Sequence, residues 1–116
     1  MPHHVNELKL LQKSRTLAIT FTDGGEYTLS CEYLRVYSPS AEVRGHGGTG
    51  TLQTGKKNVN IVGIDSVGQY GVKLTFDDGH DTGIYTWDTL HDLAVNYEQY
   101  WQHYLQRLEQ AGASRD

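Results

Sequence analysis

The chain is poor in the residues that would build a covalent or metal framework. Cys31 is its single cysteine, so neither an intrachain disulfide nor a thiolate metal cage can form within one chain, and a lone thiol fits a reducing compartment. Basic charge is also short, with 10 Lys and Arg against 14 Asp and Glu and a net charge of −4. That balance argues against a binder of nucleic acid or anionic membrane driven by phosphate attraction, although Arg35, Arg44, Lys56 and Lys57 leave room for a local basic spot. No apolar run approaches a membrane span, and Met1–Leu11 lacks a basic-then-apolar leader, so a soluble cytoplasmic protein is expected. His3 and His4 read as a solvated tail. With 116 residues there is room for one domain with its own core and not for two. Hydrophobic content of 37% with eight tyrosines predicts a thin core built partly from aromatic bodies whose hydroxyl tips stay wet.

What the chain does contain is one pattern written twice. Residues 19–34 and residues 74–90 each give a β run, an Asp-Gly turn, a second β run, a hydroxyl residue able to cap a helix, and an aromatic-plus-Leu start to that helix. The copies differ at the turn, where the second carries Asp78, His80 and Asp81 and the first has Asp23, Gly24 and Gly25. Around these units, Val5, Leu8 and Leu10, then Leu17, Ile19 and Phe21, give period-two apolar signals for two strands joined near Ser14 and Arg15. Tyr27 and Leu29 mark the return strand, and Ser30 caps a short helix over Cys31–Leu34.

From Ser38 to Thr54 the apolar period stops, and the glycines there predict a long surface loop. Strands resume at Val59–Asp65 and at Tyr70–Phe76, with a short return at Ile84-Tyr85. The last third changes period: Thr86 caps a helix from Trp87, and Asn96 caps a longer one striped by Tyr97, Tyr100, Trp101, Tyr104, Leu105 and Leu108. Gly112 is the natural stop. The expected architecture is α+β: a mainly antiparallel sheet of about five or six strands built from two hairpin-helix units, with C-terminal helices on one face. Residues 1–116 form one domain, with 1–6 and 113–116 frayed. Its sheet edges would allow a homodimer.

Several chemistries can be weighed on the residues. Gly45-His46-Gly47-Gly48-Thr49-Gly50 lacks the Gly-Lys-Ser/Thr ending of a P-loop and is followed by no convincing helix, so a flexible loop outranks a phosphate cradle. His46, His80, Glu42, Asp78 and Asp81 are the ligand types of an imidazole–carboxylate site for iron or zinc. Against that, an Asp-Gly-His-Asp hairpin more often turns its carboxylate onto backbone amides, and the glycines near Glu42 and His46 oppose a helical ligand face. Cys31 near a helix start would gain acidity, yet at a strand end it reads more simply as a small buried hydrophobe. No Gly-x-Ser-x-Gly elbow accompanies it.

Leu34-Arg35-Val36-Tyr37-Ser38-Pro39-Ser40-Ala41-Glu42-Val43-Arg44-Gly45-His46, together with Phe76–Trp87, resembles the gamma-butyrobetaine hydroxylase-like N-terminal domain family in its small stand-alone bacterial form. The likeness covers Leu8 to about Gly112. In the carnitine-pathway hydroxylases, this resemblance implies, the domain precedes a separate iron- and 2-oxoglutarate-dependent catalytic domain. It also holds a structural zinc through a Leu-Arg-x-x-Cys-x-Cys-x-x-Cys segment and one later histidine. Similar domains occur attached to P-loop ATPases of the iron–sulfur cluster carrier type. The cysteine positions here are Ser38, Ser40 and Val43, and His80 falls at the histidine, so that zinc site is expected to be absent and hydroxylase activity is not carried over.

Two functional classes follow. The first is a non-enzymatic accessory or interaction domain for an unknown protein partner, linked to oxygenase or iron–sulfur machinery. Its surface would include Arg35, Arg44, His46, Asp78 and His80. The second is a small iron- or zinc-binding protein using His46, His80 and neighbouring carboxylates. No cofactor and no catalytic residue is assigned.

Overall fold

The computed structural model describes residues 4–40, 43 and 52–116. It contains two three-stranded antiparallel sheets, each followed by a helix. In the first, β1 (Val5–Leu11), β2 (Thr16–Phe21) and β3 (Glu26–Ser30) lead into α1 (Cys31–Val36). In the second, β4 (Ile61–Val67), β5 (Gly71–Phe76) and β6 (Ile84–Thr86) lead into α2 (Trp87–Val95), and α3 (Tyr97–Ala111) follows. The six strands match the expected number, divided between two sheets.

The pattern seen twice in the sequence is larger in three dimensions, extending to the whole strand–strand–strand–helix unit. Phe21 N–H donates to the Gly25 carbonyl at 2.8 Å, and Phe76 N–H to the His80 carbonyl at 2.9 Å. Gly24 (φ 93°) and Gly79 (φ 90°) take the same left-handed turn position, which favours glycine. Cys31 N–H reaches the Arg15 carbonyl and Trp87 N–H the Tyr70 carbonyl, both at 2.9 Å. Ser30 and Thr86 cap their helices by accepting from Tyr33 N–H and Thr89 N–H, as their side chains predict. Asn96 departs from expectation. It makes no side-chain cap for α3, and its amide turns back onto Asp92 at the end of α2.

The central strand of each sheet alternates, apart from the buried Gly71 at the start of β5: Leu17, Ile19 and Phe21 are buried on β2, and Val72, Leu74 and Phe76 on β5. These faces share one core with Leu34, Leu90 and Leu93 from the helices. A smaller cluster of Val36, Tyr104 and Leu108 lies under α3. The tyrosine tips correct the expectation of a wet rim. Tyr33 Oη donates to the Leu93 carbonyl at 2.6 Å, Tyr85 Oη to the Leu34 carbonyl at 2.5 Å, and Tyr37 Oη to the Tyr100 carbonyl at 2.7 Å. Each bond joins two elements through a helix carbonyl, so these hydroxyls work as interior ties. Burial first, then the neighbouring Tyr37 and Tyr100 hydroxyls and the Asp92 carboxylate, pushes the Tyr33 hydroxyl above the ordinary phenol range.

His4, Ser114 and Arg115 are tied to the rest of the domain by backbone hydrogen bonds. Thr22 N–H bonds the His4 carbonyl at 3.0 Å, and the Ser114 and Arg115 carbonyls accept from Gly55 N–H and Lys57 N–H at 3.1 and 2.9 Å. One close approach is decisive in the second sheet. A Cβ on Gly71 would lie 2.5 Å from the Tyr85 carbonyl oxygen and 3.0 Å from Thr86 Cα. Gly71→Ala is therefore expected to push β5 and β6 apart and cost about 1–3 kcal/mol, read as a lower urea midpoint with an unchanged denaturant slope.

Candidate functional site

The second hairpin differs from the first by one added residue. Phe76 pairs with His80, but Lys73 pairs with Ile84, so the return strand gains a residue between His80 and Ile84 that the first hairpin lacks. Such a bulge bends the strand and re-aims its side chains. Here the bulged stretch meets the chain that leaves α1. His80 Nε2 and Ser38 Oγ are 2.8 Å apart, Ser40 Oγ and Thr82 Oγ1 are 2.6 Å apart, and Ser40 N–H donates back to Ser38 Oγ at 3.2 Å. Gly83 permits the approach, because a Cβ there would collide with Ser38 Oγ. Ser38 is fully buried and His80 is 7% exposed. The segment expected to begin a surface loop thus starts inside the protein, with Ser38 and Ser40 both buried.

Asp78 is the electrostatic centre of this corner. Its Oδ1 accepts His80 N–H at 3.1 Å, while Oδ2 accepts Arg35 Nε at 2.9 Å and Lys56 Nζ at 2.6 Å. Burial alone would raise the Asp78 pKa, but the Lys56 bond, the His80 amide and the Arg35 guanidinium outweigh it and hold the carboxyl at about 2. Arg35 is itself buried, and among the described residues its Nη1 has no hydrogen-bond partner. Such an orphaned donor ordinarily costs about 1–3 kcal/mol.

Of the residues singled out in the sequence, the fold brings Arg35, Asp78 and His80 together, and it leaves Asp81 exposed at the bulge. Glu42, Arg44 and His46 lie outside the described residues. Arg35 and His80 were expected on an interaction surface. Both are buried, and beside them Asp78 and Lys56 are part-exposed. Among the described residues no three or more His, Cys, Asp or Glu side chains gather as metal ligands do. Cys31 is fully buried, and burial pushes its thiol up, away from thiolate chemistry.

No curated protein matches the chain. The family model described as gamma-butyrobetaine hydroxylase-like, N-terminal, matches residues 8–91. The chain belongs to this family. Two proteins solved by NMR in solution are similar over nearly all of it. One has 47% identity and a TM-score of 0.87, covering 100% of this chain and 92% of the other. The second has 60% identity and a TM-score of 0.85, covering 99% and 86%. A crystal structure from Acidithiobacillus ferrooxidans, described as a protein with unknown function of the DUF971 family, has 38% identity and a TM-score of 0.66, covering 78% of this chain and 91% of that one. The matched model is an N-terminal domain, distinct from a hydroxylase catalytic domain. Also, among the described residues, no helix is long and apolar enough to cross a membrane.

The zinc that the family resemblance implies does not fit the residues present. Neutral serine hydroxyls stand at two of the thiolate positions and Val43 offers no donor, while the His80 nitrogen facing them is engaged by Ser38.

No local signal marks Lys56 as a partner of Asp78, since the contact closes a separation of 22 residues. Asp78→Asn, which keeps shape and removes charge, is expected to cost about 1.5–3 kcal/mol at pH 7. The depressed Asp78 pKa adds stability above the ordinary value of 3.8, and that contribution fades as pH falls toward 2. The difference between wild type and Asp78→Asn in chemical denaturation should therefore shrink across this window.

Proposed function

We propose that this chain is a non-catalytic accessory domain that acts by protein–protein contact at the second hairpin, with its partner in oxygenase or iron–sulfur machinery. The observation that carries this reading is the state of the corner's two potentially reactive groups. Ser38 and His80 resemble a nucleophile and its base in spacing, but Ser38 is fully buried and both side chains face the same internal joint. A nucleophile must meet its substrate, and this one is walled off by the fold. The neighbouring charges do reach the surface: Asp78 and Lys56 keep 23% and 21% side-chain exposure. A salt-bridged pair at that depth suits recognition, where complementary charge sets partner choice and encounter rate. The buried Arg35 Nη1 adds a donor that an acceptor from a partner could satisfy if the corner relaxed on binding.

The test is affinity capture from the native host with wild type and Lys56→Glu as baits, followed by metal analysis of the same material. The expected result is a stoichiometric protein partner whose affinity drops at least tenfold with Lys56→Glu. Metal at one equivalent, lost in His80→Ala and accompanied by no partner, would instead establish a small iron- or zinc-binding protein.

A further inference from the structure

Far from the hairpin in sequence, Glu32 is a carboxylate buried to 4% exposure on α1. Its Oε1 accepts Arg115 Nη2 at 2.7 Å, and its Oε2 accepts Arg115 Nε at 2.8 Å and Tyr104 Oη at 2.9 Å. The guanidinium also sits 5.2 Å from the centroid of the Trp101 ring. A bidentate carboxylate, an aromatic face and a fixed hydroxyl together make a receptor shaped for arginine rather than lysine.

The two partners of this ion pair are unequally embedded: the Glu32 side chain is 4% exposed and that of Arg115 is 37%. The carboxylate belongs to the body of the domain, whereas the arginine arrives from the solvent side on a short segment. That segment leaves α3 at Gly112, in the left-handed conformation with φ 63°. Beyond the arginine contacts it is held by the backbone bonds from Gly55 and Lys57 and by an exposed Lys57–Asp116 pair at 3.6 Å. The exposed pair adds little. Clefts of about 310 and 340 Å³ have Arg115 and Asp116 on their walls. Leu105, Leu108 and Ala113 line the first, and Asn58, Val59 and Asp77 the second. They offer room for residues flanking an inserted arginine.

We propose that Glu32, Trp101 and Tyr104 form an arginine-recognition socket, filled in cis by Arg115, which an extended partner segment enters by displacing the Arg115 segment. The partner segment carries arginine followed by an acidic residue, the chemistry of Ser114-Arg115-Asp116 itself, so that the acid meets Lys57. This site stands independently of the reading of the His80 corner.

The test is an NMR titration of the full-length chain with an acetyl-Ser-Arg-Asp-amide peptide, following the Trp101 indole resonance. Arg115→Ala, in which the socket is vacated, should bind the peptide saturably. Wild type should bind at least tenfold more weakly because its own arginine competes, and the Lys counterpart of the peptide should bind Arg115→Ala at least tenfold more weakly. Adding Glu32→Gln should abolish the response. If Arg115→Ala folds poorly, Arg115→Lys keeps the charge and should give the same order. No saturable shift in either variant, or equal binding of the Arg and Lys peptides, would reduce the contact to a structural clasp and overturn the proposal.

Discussion

The Asp78 carboxylate receives donors from three parts of the chain: the His80 amide in its own turn, Arg35 from α1, and Lys56 ahead of β4. One anion between two cations, only partly open to water, interacts more strongly than an exposed pair would. Its consequence is geometric. With the turn fixed against α1, the bulged return strand lies across the segment leaving that helix, and His80 meets Ser38 inside the protein. The position of the site's imidazole and the burial of its hydroxyl both depend on this carboxylate.

The corner also shows how a domain of this family can close without thiolates. Structural zinc in small finger peptides contributes roughly 10–16 kcal/mol, whereas a hydrogen bond contributes a net 0.5–1.5 kcal/mol. The Ser38–His80 and Ser40–Thr82 bonds cannot equal a metal at that exchange. Other ties must therefore carry the packing of helices on sheets. The tyrosine hydroxyls bound to helix carbonyls and the Glu32–Tyr104 bond are placed to do so. Each spans elements distant in sequence, and each satisfies a polar group that burial would otherwise penalise.

Much of this fold was legible because its determinants are local. Alternation marks β2 and β5, Asp-Gly marks both turns, and Ser30 and Thr86 announce the helices they cap. Asn96 was misread because its amide has two local uses, and closing α2 through Asp92 prevails over capping α3. The candidate site was legible only in part. His80 stands out as the difference between the two copies, taking the place of Gly25, while Asp78 repeats the Asp23 of the first turn; the family resemblance places Ser38 opposite His80. The bulge, the depth of Ser38 and the charges that converge on Asp78 are set by register and tertiary contact, which no short window records. Glu32 and Arg115 are 83 residues apart, and nothing in either neighbourhood signals the other.

The His80 imidazole is committed to an internal hydrogen bond with Ser38. The most direct measurement is a long-range 1H–15N spectrum of the histidine side chains at neutral pH, recorded before and after one equivalent of Zn²⁺. The expected result is a His80 Nε2 engaged in the hydrogen bond with Ser38 and unmoved by the metal. A His80 ring nitrogen that shifts to a metal-coordinated position on adding zinc would overturn that assignment.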